Sequence, residues 1–162
     1  MDNGQVTEKK QPQEITVATN RRARADYTVL ETLEAGIALT GAEIKVVRER
    51  HVNIAEAYAQ IRNGELWLQN CHISPYKAAG HYGQLDPARP RKLLLHRTQI
   101  ARLALEANRQ RLTIVPLRMY LKGHLAKVEV GLARGRRKYE KREVIKKRES
   151  DREMGQAIKL RG

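Results

Sequence analysis

Ala57-Tyr-Ala-Gln-Ile-Arg62, then Asn63-Gly64, then Glu65-Leu-Trp-Leu-Gln-Asn-Cys-His-Ile73 is the stretch on which the fold turns. Asn-Gly accepts the positive φ angles of a type I′ turn, whose twist matches that of two flanking strands, so the segment predicts a β-hairpin. Toward the N-terminus, Ile15 to Ala18 reads as a short strand and Tyr27 to Leu33 as another, with Glu34-Ala35-Gly36 a turn returning the chain through Ile37 to Leu39. Thr40-Gly-Ala-Glu43 fits a capping box, in which the hydroxyl accepts from the third helical amide and the carboxylate reaches back. Ile44, Val46 and Val47 give the short helix its apolar side.

Toward the C-terminus, His72-Ile-Ser-Pro75 ends the hairpin's second strand, and 76–91 is a Gly/Pro-bearing loop of a length that is usually functional or mobile. Arg97 to Asn108 places Ile100, Leu103, Ala104 and Ala107 at helical spacing. Leu112 and Ile114 alternate, Pro116 interrupts, and Leu117, Met119 and Leu121 resume on the other phase, as a β-bulge would produce. Val128, Val130 and Leu132 then alternate with Lys127, Glu129 and Gly131. The expectation is a mainly β chain: a six-stranded antiparallel barrel over residues 15–134, with two or three peripheral helices.

The 162 residues carry 32 Lys and Arg against 18 Asp and Glu, a formal net charge of +14. The excess is uneven. Residues 134–162 hold a net +7, half the total in the last sixth of the chain. Such clustering is the electrostatic footprint of a polyanion, because each neutralised phosphate releases condensed counterions. A membrane surface is the rival anion, but the basic tail lacks the large apolar residues that would enter an interface. Residues 1–14 read as a disordered lead-in with no apolar signal segment, and no run is long enough to span a bilayer. The expectation is a cytoplasmic monomer. Residues 135–162 are good helix formers without a continuous apolar stripe, so this tail is expected to be disordered when free and helical on an anionic surface.

Little in the chain points to catalysis. His51, His72, His81, His96 and His124 fall in no metal-ligand spacing, and the single Cys71 reads as a core thiol. Adjacent residues on a strand face opposite sides, so Cys71 and His72 do not form a nucleophilic pair. A nuclease using His72 or His96 with Glu34 is the enzymatic alternative; Glu31 and Glu34 read as a carboxylate pair for acid–base work, but no convergent His, Lys or metal partner accompanies them. With no Phe, stacking of splayed bases across a sheet is disfavoured. Binding through phosphates and the shape of a folded RNA is favoured instead.

The order of several short segments carries a resemblance. These are Ala18-Thr-Asn-Arg-Arg-Ala-Arg-Ala-Asp-Tyr27, Glu31-Thr-Leu-Glu-Ala-Gly36, Val52-Asn-Ile-Ala-Glu-Ala-Tyr58, His72-Ile-Ser-Pro75 and Arg91-Lys-Leu-Leu-Leu-His96. Val115-Pro-Leu117, Lys127-Val-Glu-Val-Gly-Leu-Ala-Arg-Gly135 and Lys141-Arg-Glu143 continue the series. Together, from about residue 15 to residue 150, they resemble the small protein B (SmpB) family, the SsrA-binding proteins of bacterial trans-translation.

The resemblance implies an oligonucleotide-binding (OB) type barrel and a non-catalytic adaptor without cofactors. Such an adaptor binds the tRNA-like domain of transfer-messenger RNA (tmRNA, or SsrA RNA). It delivers that RNA, as alanyl-tRNA with elongation factor Tu and GTP, to ribosomes stalled without a stop codon. A generic basic ribosome-associated RNA-binding protein or RNA chaperone is the alternative reading. The family's polar RNA-contacting triad maps onto Asn20, Tyr27 and Glu34, with Arg21, Arg22, Arg24, Arg91, Lys92 and Lys127 as candidate phosphate contacts. The resemblance also assigns the tail to the small-subunit decoding site and mRNA channel, through Arg136, Arg137, Lys138, Tyr139, Glu140, Lys141, Arg142, Ile145, Lys146, Lys147 and Arg148. Many relatives carry His at Tyr139, Asp at Glu140 and Trp at Ser150. Tyr139 keeps a stacking face but carries no titratable cation.

Overall fold

The computed structural model describes residues 13–79, 86–136, 142 and 145–154. Among them run β1 (Glu14–Thr19), α1 (Arg21–Asp26), β2 (Tyr27–Ile37), α2 (Gly41–Arg48), β3 (Val52–Asn53), β4 (Tyr58–Arg62), β5 (Glu65–Gln69), β6 (His72–Ile73), β7 (Arg91–Leu94), α3 (Arg97–Gln110), β8 (Thr113–Lys122) and β9 (Leu125–Gly135). The strand order β8-β4-β5-β7-β2-β9 closes through β8–β9 pairing into a six-stranded antiparallel ring. β8 shares one edge: Ala59 of β4 pairs with Ile114, and β1 pairs with Arg118 through Lys122. Closure removes the free edges that an open sheet of this size would present. β3 and β6 form a separate two-stranded ribbon.

The Asn63-Gly64 hairpin forms as expected. Both turn residues have positive φ, 51° and 75°, which Gly64 adopts at no steric cost. Register runs from Tyr58↔Gln69 to Arg62↔Glu65. The Thr40 capping box is present on both sides, with Thr40 N–H donating to Glu43 Oε1 at 3.0 Å and Glu43 N–H to Thr40 Oγ1 at 3.2 Å. The proline phase shift is a bulge: Pro116 pairs with Val130 and Arg118 with Glu129, leaving Leu117 extra.

The interior holds Leu66, Leu68, Leu93, Met119, Val128 and Val130, with Val46 and Val47 of α2 and Ile100 and Leu103 of α3 packed against them. A second, smaller cluster of Ala23, Val115, Leu117 and Ala133, with Tyr27 and Val29, lies on the outer side of the wall and seats α1. Cys71 is buried, and burial pushes its thiol up to about 11, so it stays protonated at neutral pH.

Three readings are corrected. Glu34-Ala35-Gly36 is no turn: β2 runs unbroken to Ile37, pairing Glu34↔Glu129, Ala35↔Val128 and Gly36↔Lys127. Gly36 serves a close approach instead, since a Cβ there would stand 3.2 Å from Leu94 Cβ of the neighbouring strand. The hairpin's second strand ends at Gln69, because Asn70 takes φ 56° and turns the chain toward β6. A helix, α1, precedes β2 where none was read, capped by Asn20.

Residues 145–154 are helical with every side chain exposed. The lead-in 1–12, the loop core 80–85 and the tail residues Arg137, Lys138, Tyr139, Glu140 and Lys141 lie outside the described residues.

Candidate nucleic-acid interface

One backbone irregularity builds the site. Val29 pairs with Ala133 and Glu31 with Leu132, so Leu30 is an extra residue in β2. A strict period of two would send Tyr27 and Glu34 to opposite faces. The bulge resets the phase and puts Tyr27, Val29, Thr32 and Glu34 on the outer wall, while Glu31 points to the barrel mouth and accepts two bonds from Arg102 of α3, at 2.6 and 2.8 Å. Tyr27 and Glu34 are then roughly 20 Å apart along the strand, at about 3.3 Å per residue.

Around Glu34 the outer wall is a chain of polar contacts across four strands. Its Oε2 accepts from the Tyr120 hydroxyl, with Lys122 Nζ at 3.6 Å. Tyr120 is 2% exposed, and the Arg118 guanidinium lies over its ring, 4.0 Å from the centroid. Arg118 donates to Glu129 Oε2 at 2.6 Å, to Glu14 Oε2 at 3.1 Å and to Thr16 Oγ1 at 3.3 Å. The Tyr120 hydrogen bond outweighs partial desolvation and, with Lys122 and Lys127, holds the Glu34 carboxyl below its ordinary value. Burial, then the bond and charge of Glu34, raise the Tyr120 phenol, which stays a donor. Glu34 is therefore an ionised acceptor whose Oε1 makes no hydrogen bond among the described residues. It lines a groove of about 1100 Å³ with Lys127, Lys92, Leu94, His96 and Arg97.

At the other end of β2, α1 presents exposed Arg21, Arg22 and Arg24 beside half-buried Tyr27. Arg22 pairs with Glu56 across a hollow that Tyr27 and Tyr58 also line. Phosphates fit the arginines, and Tyr27 offers a stacking face and a hydroxyl.

The SmpB protein family model matches residues 17–160. The chain belongs to that family. It is 55% identical over 151 residues, 93% of this chain and 95% of the other, to an SsrA-binding protein of Levilactobacillus brevis. It is 53% identical over 148 residues to one of Roseiflexus castenholzii, covering 91% of this chain and 94% of that one. A solved chain described as "tmRNA-SmpB: a journey to the center of the bacterial ribosome" superposes with a TM-score of 0.62 at 45% identity, over 78% of this chain and 92% of that chain.

Two of the candidate contacts in this SmpB-family chain are internal. Arg91 is 1% exposed and cannot meet a phosphate. Its Nε donates to Glu43 Oε2 at 2.7 Å, its Nη1 to Cys71 O at 2.5 Å and its Nη2 to Pro87 O at 3.0 Å. Burial works against the Glu43 carboxylate, yet bonds from Arg89, the Thr40 amide and Arg91 keep its pKa below the ordinary value. Asn20, 2% exposed, is likewise occupied: Oδ1 caps α1 by accepting from Ala23 N–H at 3.0 Å, and Nδ2 donates to Pro116 O at 2.9 Å. It positions α1 and cannot contact RNA directly. Lys92, next to Arg91, faces outward and pairs with Glu65 at 3.1 Å.

Arg118 and Tyr120 escaped the sequence reading, as did Leu94 at 51% exposure. For Arg118 and Tyr120 the only signal in the sequence is the bulge at Pro116, which brings Arg118 outward beside Tyr120. Among the described residues, no group of His, Cys, Asp and Glu could hold a metal ion, and no helix is long and apolar enough to cross a membrane.

Proposed function

We propose that the outer wall of β2, β8 and β9, from α1 to Glu34, is the surface with which this chain grips the tRNA-like domain of tmRNA. The family's members are RNA-binding proteins of trans-translation and not enzymes. The observation that carries the reading is Glu34: an ionised carboxylate with one oxygen unoccupied among the described residues, set between Lys122 and Lys127 on a net-positive protein. A carboxylate there weakens bulk attraction to phosphates. Its use is selective acceptance from a base amino group or a ribose hydroxyl. Lys92, Lys127 and the α1 arginines supply the salt-dependent remainder.

The tail, in this reading, reaches the decoding site and mRNA channel of the small subunit, while the barrel carries alanyl-tmRNA delivered with elongation factor Tu and GTP. A helix of about 24 residues spans roughly 36 Å, enough to line such a channel. Purification from the host without nuclease, followed by sequencing of the accompanying RNA, tests the binding half: one dominant tRNA-like species is expected, and a random sample of cellular RNA overturns it. Deleting residues 137–162 tests the other half. RNA binding should persist while tagging on stalled ribosomes stops, and normal tagging by the truncated protein overturns the tail's role.

A further inference from the structure

Between α1, the start of β2 and the end of β9 lies a hollow of about 280 Å³, lined by Arg24, Tyr27, Arg136, Arg148 and Glu129 over Val29 and Leu117. Three arginines line it from three separate segments: α1, the residue after β9, and the helical residues 145–154. Among the described residues, the one carboxylate in the lining, Glu129, already accepts from Arg118. Arg136 is held in place, its backbone N–H donating to Asp26 O at 2.8 Å and its Nε to Thr28 Oγ1 at 3.1 Å. Its Nη1, however, is buried without a hydrogen-bond partner among the described residues. Gathered like charges repel one another, and anionic oxygens seated among them offset that repulsion.

We propose that this hollow takes one phosphodiester of the bound RNA, with Arg24, Arg136 and Arg148 as donors and the adjoining nucleoside against Tyr27, Val29 and Leu117. The proposal rests on the RNA-binding reading above and deepens it. Arg136 and Arg148, which the resemblance places in the ribosome, here hold the RNA on the barrel. Occupancy ties the helical residues 145–154 to α1 through a shared phosphate, so RNA loading and tail placement become one event.

The test is a titration of the full chain with a transcript of the tmRNA tRNA-like domain across a range of salt. One shared phosphate predicts that Arg24→Gln and Arg136→Gln each weaken binding at any one salt concentration, and that their losses do not add in the double variant. A cycle of Arg24→Gln with Arg148→Gln repeats the test without touching Arg136, should Arg136→Gln unfold the protein. Additive losses of affinity in the doubles, or unchanged affinity in the singles, overturn the shared site. Glu34→Gln run in parallel reports separately on the parent reading: unchanged preference for this transcript over an equal length of unrelated RNA overturns that reading, whatever the arginine cycles show.

Discussion

Arg91 and Arg118 both lie on strands of the same barrel and each pairs with carboxylate, yet they belong to different parts of the molecule's work. Arg91 points inward, 1% exposed, and fastens Glu43 of α2 and the carbonyls of Cys71 and Pro87 into one buried cluster. Arg118 points outward, its side chain 25% exposed, and spreads over Tyr120 toward Glu14 and Glu129. The first holds the fold; the second holds a surface in which Glu34 keeps its charge. The difference teaches that the direction of the side chain, set by strand phase and bulges, assigns the role that residue type leaves open.

The comparison breaks most visibly at Arg91. Arg91→Ala leaves Glu43 with Arg89 and the Thr40 amide only, and strips the carbonyls of Cys71 and Pro87 of their donor, so urea unfolding should show a loss of about 2 to 4 kcal/mol. A loss below about 1 kcal/mol together with a selective RNA defect would move Arg91 to the surface side of the comparison. Asn20→Ala removes a helix cap and a buried donor to Pro116 O, and should cost about 1 to 2 kcal/mol. It should also weaken RNA binding by freeing α1, and full RNA affinity alongside that stability loss would separate α1 from the site. Arg102→Ala, which removes a half-exposed pair with Glu31, should cost no more than about 1 kcal/mol in the same unfolding assay.

Proton titration sharpens the same contrast. The folded pKa of Glu43 is depressed below 4.5, so its contribution is fully present above that value and is lost as pH falls through the lower folded one. Urea midpoints should therefore show no Glu43-dependent change between pH 7 and 5.5, and a Glu43→Gln comparison checks it. Tyr120→Phe acts on the other region. It removes the largest cause of the lowered Glu34 pKa, so RNA selectivity should fade at a higher pH than in the unaltered chain on acidification. Superimposable pH profiles for the two proteins would show that Tyr120 does not position Glu34.

Legibility from sequence followed how local the cause was. Asn63-Gly64 and Thr40 with Glu43 are rules within a few residues and formed as read; the bulge at Pro116 formed too, but with Leu117 on the outer side beside Val115 and not in phase with Met119 and Leu121. Glu34-Ala35-Gly36 carries turn-like composition, but pairing with β9 on one side and β7 on the other holds it as strand, which is a tertiary cause. α1 has six residues and no apolar stripe; its only local mark is the Asn20 cap. Arg91 and Lys92 are both candidate phosphate contacts by residue type, although the alternation that buries Leu93 already places Arg91 on the inner face and Lys92 on the outer. The phase change at Leu30 has no residue signature at all, and it is what brings Tyr27 and Glu34 to one wall.

The central claim, that Glu34 on the outer wall selects the RNA while the surrounding cations only attract it, is tested most directly by one ratio. The affinity of Glu34→Gln for the tmRNA tRNA-like domain is divided by its affinity for an unrelated folded RNA of equal length, at one fixed salt concentration. The account predicts at least a tenfold fall in that ratio, of the order of 1.4 kcal/mol, with the unrelated RNA bound as before. A ratio equal to that of the unaltered chain would contradict it.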